Sequence, residues 1–240
     1  MDTTRRPNIV VSGASKGIGR AIVRKFYEEG FDVAFCARDN KALNQFKNEL
    51  EALNRDQKIL AISCDVSDKE AVEWFAEQVV FEFEEVDVLV NNAGIFLPGQ
   101  ISTEEEGVFE KSIQTNLSSA YYLSRALIPS MKGSNHAHLF SVCSTASITA
   151  YPNGGSYCIS KFALLGMTKV LREELKPDGI AVTAILPGAT YTHSWSGSEL
   201  PESRFMQADH IANVVFQAYQ LSPQSVIEEL LIRPMQGDIT

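Results

Sequence analysis

Short apolar segments rich in Val and Ile alternate with longer amphipathic segments along the whole chain. Short runs of this composition are typical of strands that are buried on both faces of a parallel sheet. They predict seven strands, at Asn8–Ser12, Asp32–Ala37, Lys58–Ser63, Val86–Val90, Ala137–Val142, Ile180–Leu186 and Val226–Ile232. Helical periodicity predicts helices between them, among them Lys41–Leu53, Lys69–Phe83, Phe109–Met131, Ser156–Lys176 and Ala208–Leu221.

This alternation predicts an α/β fold with a doubly wound parallel sheet of the Rossmann type, because strand–helix–strand crossovers are right-handed and place helices on both faces. The chain has 240 residues, of which 45% are hydrophobic, and no Pro-, Gly- or Ser-rich linker divides it. We therefore expect one domain over residues 1–240. Residues 188–209 are rich in Ser, Gly, Pro and Thr without periodicity, which predicts a substrate loop.

Charge and targeting signals narrow the class of partner. The formal net charge of −9 argues against nucleic acid or an anionic membrane, since both require a basic face. Residues 1–7 lack the apolar core of a signal peptide, and no run is apolar enough to span a membrane. A cytoplasmic location is therefore expected. The four Cys and four His residues show no metal-ligand spacing, so we expect no metal and reduced cysteines.

A glycine-rich turn directly follows the first predicted strand. Its sequence is Ser12-Gly13-Ala14-Ser15-Lys16-Gly17-Ile18-Gly19, and a helical pattern begins at its end. Glycines permit a tight turn and close backbone approach, and the helix N-terminus presents N–H groups to a pyrophosphate. The spacing Gly-x-x-x-Gly-x-Gly differs from the Gly-x-Gly-x-x-Gly pattern, and a turn without a ligand is the alternative. The position after an N-terminal strand favours a dinucleotide site.

Candidate acid–base chemistry lies near the middle of the chain. Tyr157 and Lys161 stand four residues apart in a predicted helix, and Ser144 lies thirteen residues before Tyr157. Residues i and i+4 share a helix face, so the ammonium can lie beside the phenol. A nearby cation favours the phenolate, so we expect a lowered pKa for Tyr157 that suits proton transfer, with Ser144 holding a substrate carbonyl. The alternative is an ordinary amphipathic helix.

Six motifs in a fixed order resemble those of the short-chain dehydrogenase/reductase family, in its single-domain branch, over nearly the whole chain. Besides the glycine loop and the Tyr157/Lys161 pair, they are Asn91-Asn92-Ala93-Gly94, Asn116, Ser144, and Pro187-Gly188 with Thr192. The resemblance implies a catalytic tetrad of Asn116, Ser144, Tyr157 and Lys161, in which Asn116 holds a water that connects Lys161 to solvent. It implies cofactor contacts from Gly13, Ser15, Lys16, Gly17, Ile18, Gly19, Arg38, Asp65, Val66, Asn92, Ala93, Gly94, Tyr157, Lys161, Pro187, Gly188, Thr190 and Thr192.

The end of the second predicted strand bears on the choice of cofactor. An acidic residue there would bond the ribose 2′-hydroxyl of NAD, whereas a nearby Arg accommodates the 2′-phosphate of NADP. Ala37 stands at the acidic position of the resembled family, Arg38 follows it, and Lys16 supplies a second cation. These residues predict NADP(H). Asp39 supports the alternative, because it could reach a ribose hydroxyl from two positions further along.

The substrate is less clearly encoded. Residues 191–195 and the C-terminal segment 226–239 resemble the bacterial sepiapterin reductase branch, which reduces carbonyl groups on a pterin side chain with NADPH. In the substrate loop, Trp195 is predicted to stack on a planar substrate, with a lid anchor as the alternative. The tetrad is also shared by 3-oxoacyl-carrier-protein reductases and other alcohol dehydrogenases. A non-catalytic NADP-sensing regulator is the alternative from another class, and the intact tetrad favours an enzyme.

Two long predicted helices indicate self-association. Apolar residues on Phe109–Met131 cover more than one narrow stripe, which predicts burial on two sides. The resembled family pairs this helix and Ser156–Lys176 across a two-fold axis, so we expect a homodimer or homotetramer.

Overall fold

The computed structural model describes residues 5–192, 199–221 and 224–239. The strands in these ranges are β1 (Asn8–Ser12), β2 (Asp32–Ala37), β3 (Ile59–Ser63), β4 (Val88–Asn91), β5 (His138–Val142), β6 (Ala181–Pro187), β7 (Thr190–Tyr191), β8 (Met206–Gln207) and β9 (Glu229–Ile232). Seven of them form one sheet in the order β3-β2-β1-β4-β5-β6-β9, and every pairing is parallel. The short strands β7 and β8 pair with each other.

Helices cover both faces of this sheet. They are α1 (Gly17–Glu28), α2 (Asn40–Glu51), α3 (Lys69–Phe83), α4 (Val108–Ile113), α5 (Ser119–Met131), α6 (Gly155–Leu175) and α7 (Ala208–Tyr219). One apolar core unites the sheet with α1, α2 and α7, while α3, α5 and α6 bury apolar side chains on the other face. The central strands β1, β2, β4 and β5 are buried throughout, which explains why their sequences are continuously apolar.

The predicted doubly wound fold is confirmed, and all seven predicted strands join the sheet. The last strand is shorter than the predicted Val226–Ile232, because pairing with β6 begins only at Glu229. The helix predicted as Lys41–Leu53 begins one residue earlier, since the Asp39 carboxylate caps α2 by accepting a hydrogen bond from the Ala42 N–H at 3.0 Å.

The segment predicted as a single helix, Phe109–Met131, is interrupted. A π-helical turn at Gln114–Ser118 separates α4 from α5 and contains Asn116. Hydrophobic periodicity cannot reveal one wider turn, and such turns are frequent at functional sites. None of the helices in the described ranges is both long and apolar enough to cross a membrane. The single-domain organisation and the cytoplasmic location stay predictions.

Candidate active site

The glycine turn after β1 is packed against the end of β4. The backbone of Gly13 is left-handed, with φ of +69°, and a Cβ there would lie 2.7 Å from the Ala93 Cα. A Cβ on Gly19 would lie 2.3 Å from the Asn92 amide nitrogen. That amide nitrogen donates hydrogen bonds to the carbonyls of Ser12 and Gly13, both at 2.9 Å. Glycine is therefore required for the turn and for this close approach.

The same turn presents the start of α1 to the carboxyl edge of the sheet. Gly17 has φ of +58°, and no side chain caps the first turn of the helix, which begins there. A helix terminus of this kind leaves backbone N–H groups for an anionic ligand. A Cβ on Gly17 would lie 3.2 Å from the Thr192 Cγ2, so Thr192 lies beside the glycine turn.

Tyr157, Lys161 and Ser144 converge at the carboxyl end of β5. The Ser144 side chain lies near the Tyr157 hydroxyl, close enough to lower the pKa of that phenol. Lys161 is buried, its Nζ donates a 2.8 Å hydrogen bond to the Val142 carbonyl, and it lies 5.9 Å from the centroid of the Tyr157 ring. The Ser144 Oγ also accepts a hydrogen bond from the Ala146 N–H at 3.1 Å, which fixes its position. The structure therefore brings these three side chains together, and their catalytic roles stay predictions.

Burial shifts both titratable groups of this site. It raises the pKa of Tyr157, and the neighbouring Ser144 side chain only partly opposes this. Burial also lowers the pKa of Lys161 to about 8. The expected lowering of the Tyr157 pKa is therefore wrong for the structure described, because desolvation outweighs the opposing effect of Ser144. The phenol retains its proton at neutral pH and can donate it.

Asn116 links three segments around the site. Its side-chain amide accepts a hydrogen bond from the Ile95 N–H at 2.7 Å and donates to the Ile95 carbonyl at 3.0 Å. It also donates to the Ser160 Oγ at 2.8 Å. Its amide thus joins the π-helical turn, the loop after β4 and α6. A water held by Asn116 would bind its backbone carbonyl or the second lone pair of Oδ1, because both side-chain N–H groups already have acceptors.

Two positively charged side chains, Lys16 and Arg38, lie beyond the carboxyl ends of β1 and β2. The Lys16 Nζ lies 3.7 Å from an Asp39 carboxylate oxygen, and Arg38 is exposed immediately after β2. The Ala42 N–H, followed by the charge of Lys16, lowers the pKa of Asp39. Because Asp39 already caps α2 and faces Lys16, the alternative role of binding a ribose hydroxyl loses its main support.

The remaining predicted cofactor contacts follow β3 and β6. Asp65 accepts hydrogen bonds from the backbone N–H and the hydroxyl of Ser67, at 3.0 and 2.7 Å, and Val66 beside it is buried. Past Pro187, the Gly188 N–H donates to the Ile232 carbonyl at 2.7 Å, and the Thr190 hydroxyl donates to the Gly188 carbonyl at 3.0 Å. Trp195, the predicted substrate-stacking residue, lies outside the described residues.

Comparison with known proteins assigns the family. The sequence profile described as short chain dehydrogenase matches residues 7–202. A sepiapterin reductase of Chlorobaculum tepidum is 31% identical over 237 residues, covering 96% of this chain and 97% of that protein. The chain belongs to the short chain dehydrogenase family. It is accordingly an oxidoreductase.

Solved structures of this family superpose over nearly the whole chain. An alcohol dehydrogenase of the archaeon Thermococcus sibiricus, complexed with 5-hydroxy-NADP, gives a TM-score of 0.89 at 28% identity and covers 98% of this chain and 100% of that chain. A metagenomic short-chain oxidoreductase in complex with NADP gives a TM-score of 0.83 at 32% identity, with coverage of 95% and 97%.

Two residues beside the family motifs were missed by sequence reasoning. The Phe96 ring packs edge-on against Tyr157, with centroids 5.0 Å apart and an interplanar angle of 77°, and its side chain is 42% exposed. Tyr151 lies over the start of α6, and a Cβ on Gly154 would lie 2.9 Å from its ring. The available signal for Phe96 was an aromatic residue two positions after Gly94, at the carboxyl end of a strand.

Proposed function

We propose that this protein is an NADPH-dependent carbonyl reductase in which Tyr157 protonates the oxygen of a ketone. The observation that carries the proposal is the convergence of Tyr157, Ser144 and the buried Lys161 at the carboxyl end of β5. Because burial raises the pKa of Tyr157, the phenol is protonated at neutral pH and suits the reductive direction. Ser144 orients the carbonyl oxygen toward the same hydroxyl.

The chain's own residues fit NADP(H) as the cofactor. A Cβ on Gly13 or Gly19 would collide with the residues that follow β4, so the turn before α1 requires glycine at both positions. No side chain caps α1. The N-terminus of α1 would bind the pyrophosphate, and Arg38 with Lys16 would bind the 2′-phosphate. When bound, the nicotinamide supplies the hydride that adds to the carbonyl carbon. Complexes of two structural neighbours with 5-hydroxy-NADP and NADP support this choice.

In the proposed mechanism, Lys161 carries a positive charge at a fixed position beside Tyr157. Its ammonium is anchored by the Val142 carbonyl and lies on the same side of α6 as Tyr157. From there it would contact the ribose of the cofactor and favour proton release from Tyr157. Asn116 fixes the loop after β4 through its two hydrogen bonds with Ile95. These bonds hold the adjacent Gly94 close to the Lys161 ammonium.

We propose the side-chain carbonyl of a pterin as the substrate. The similarity to the sepiapterin reductase of Chlorobaculum tepidum supports this, since it spans nearly the full length of both proteins. The half-exposed Phe96 ring beside Tyr157 offers a surface for a planar group. Trp195 stays a prediction for the same role. The alternatives are a 3-oxoacyl-carrier-protein reductase or another alcohol dehydrogenase, as in the Thermococcus sibiricus neighbour.

The alternative from another class, a non-catalytic NADP-sensing regulator, disagrees with the family assignment. The arrangement of Tyr157, Ser144 and Lys161 favours an enzyme, because a sensor has no use for a proton donor held beside a hydroxyl.

We also propose a homodimer or homotetramer assembled through α5 and α6. These helices carry half-exposed apolar side chains, which include Tyr121, Ile159, Phe162 and Val170. Isolated apolar residues are ordinary on surfaces, but a group on two neighbouring helices is typical of a subunit interface.

The substrate proposal is tested by following NADPH oxidation across four carbonyl compounds: sepiapterin, diacetyl, an aldehyde and an acetoacetyl thioester. A kcat/KM for sepiapterin well above those for the other three is the expected result. Turnover of the thioester alone would favour the acyl-carrier alternative. No oxidation with any carbonyl would contradict the proposed reaction.

A further inference from the structure

Glu104 connects the loop after β4 to the helix that carries Tyr157. One of its carboxylate oxygens accepts a hydrogen bond from the Ser156 N–H at 2.8 Å, and the other is bonded to the Ser156 hydroxyl. Ser156 is buried and immediately precedes Tyr157. The contact spans 52 residues of sequence, so it depends on the tertiary fold.

The space for the Glu104 side chain is created by two glycines. A Cβ on Gly99 would lie 2.5 Å from the Glu104 Cγ, and a Cβ on Gly155 would lie 2.5 Å from a carboxylate oxygen. The two backbones are also joined, because the Gly155 N–H donates to the Gly99 carbonyl and the Gly99 N–H donates to the Asn153 carbonyl, both at 3.0 Å. Any larger residue at either glycine would displace the carboxylate.

This contact supplies the N-cap that α6 otherwise lacks. The residue at the cap position is Gly154, which has no side chain to accept the first N–H groups. A carboxylate at a helix N-terminus is favoured by the unpaired N–H groups and by the helix dipole. Here the carboxylate comes from the loop that also carries Phe96. The first turn of α6 and the Phe96 loop are therefore held by one side chain.

We propose that Glu104 is a positioning residue that sets Phe96 and the Tyr157 hydroxyl against the same substrate. It touches neither the reacting atoms nor the cofactor site, and it acts through Ser156 on one side and residues 96–99 on the other. The consequence is selectivity: ring-bearing carbonyl compounds, which are large enough to contact Phe96, depend on Glu104 more than small diketones do. This inference rests on the proposed carbonyl reductase function.

Three variants separate this role from simple stabilisation of the fold. Glu104→Ala removes both contacts, whereas Glu104→Gln retains an acceptor for the Ser156 N–H and a donor for its hydroxyl. Glu105→Ala is the matched control, because Glu105 is the exposed neighbouring carboxylate. For each protein, kcat and KM are measured with sepiapterin and diacetyl, and NADPH affinity is measured by nicotinamide fluorescence.

The expected result is a loss of about tenfold or more in kcat/KM for sepiapterin in Glu104→Ala, because small displacements near reacting groups are costly. Diacetyl should lose much less, NADPH affinity should stay unchanged, and Glu104→Gln should recover most of the activity. Equal losses for both carbonyls, matched by the loss of folded protein on heating, would overturn the proposal.

A double-mutant cycle with Phe96→Ala tests the coupling directly. If Glu104 acts partly through the Phe96 loop, Glu104→Ala should have a smaller effect on sepiapterin reduction when Phe96 is already Ala. Strictly additive effects would contradict the proposal.

An activity-independent measurement distinguishes failure of this inference from failure of the proposed function. Hydrogen–deuterium exchange should be faster in Glu104→Ala than in Glu105→Ala, in peptides that cover residues 96–104 and 155–160. Unchanged exchange would refute the positioning role. An unmutated protein that reduces no carbonyl would instead refute the proposed function, while the exchange experiment would still decide whether Glu104 holds the two segments.

Discussion

The Lys161 ammonium donates a 2.8 Å hydrogen bond to the Val142 carbonyl, which lies at the end of the neighbouring strand β5. This bond anchors a buried cation where the candidate proton donor and the end of the sheet meet. Burial lowers the pKa of Lys161 to about 8, so its charge is sensitive to pH in the range where enzymes are assayed. The Val142 carbonyl therefore anchors the group that we expect to set the pH dependence of the reaction.

The kcat/KM for NADPH should fall as the pH rises through about 8, because Lys161 loses its proton with a pKa near that value in the free enzyme. Lys161→Met should weaken NADPH binding and remove this decline. Lys169→Met is the matched control, since Lys169 is an exposed cation on the same helix that pairs with Glu229. A decline near pH 8 that persists in Lys161→Met would assign it to another group.

NADPH should bind more tightly than NADH, because Arg38 and Lys16 stand where the 2′-phosphate is expected. A charge-assisted hydrogen bond contributes about 1.5–3 kcal/mol, so Arg38→Ala should reduce the preference by roughly tenfold or more. The preference is the ratio of the two dissociation constants, which nicotinamide fluorescence titrations with NADPH and NADH measure. Arg125→Ala, which removes an exposed cation on α5, should leave the preference unchanged. Equal dissociation constants for NADPH and NADH in the unmutated protein would refute the assignment.

The tetrad was expected only from the resemblance to the family, and its roles stay predictions. Most of the fold could be predicted from the sequence, because the buried strands are marked by local runs of apolar residues. The role of Glu104 could not, since it depends on where a loop meets a helix 52 residues later in the chain. The direction of the Tyr157 pKa shift was wrong for a related reason. Helix spacing places a cation near the phenol, but it does not report the burial that raises the pKa.

His138 should make stability depend on pH. Its ring is buried, is stacked on Phe140 with centroids 3.8 Å apart, and has Nε2 2.7 Å from the Thr183 hydroxyl oxygen. That hydroxyl donates to the Ile227 carbonyl, so it accepts its hydrogen bond from the protonated Nε2 of a neutral ring. Burial lowers the pKa of His138 to about 3.

The free energy of unfolding should therefore decrease as the pH falls from about 6.5 toward 3, because only the unfolded chain then binds a proton at His138. The slope from this one group approaches about 1.4 kcal/mol per pH unit. Urea unfolding of His138→Asn should give a shallower decline than the unmutated protein. His210→Asn, which alters an exposed histidine, should give a parallel curve. Parallel curves for both variants would exclude His138 as the source.

Self-association through α5 and α6 should be sensitive to charge at Phe162. This side chain is 46% exposed on α6, and burying a carboxylate in an interface is unfavourable. Phe162→Glu should therefore lower the mass measured by light scattering at micromolar concentration. Leu53→Glu, at an exposed apolar position after α2, should leave the mass unchanged. A stable monomer in the unmutated protein would contradict the proposed assembly.

The most direct test of the central claim compares Tyr157→Phe with the unmutated protein in NADPH oxidation, using the carbonyl compound that is turned over best. Removing a general acid typically costs about 10²–10⁴-fold, and the ring retained in Phe preserves the edge-on contact with Phe96. We predict a loss of that size in kcat with unchanged NADPH affinity by nicotinamide fluorescence. A Tyr157→Phe protein that keeps most of its activity would contradict the account.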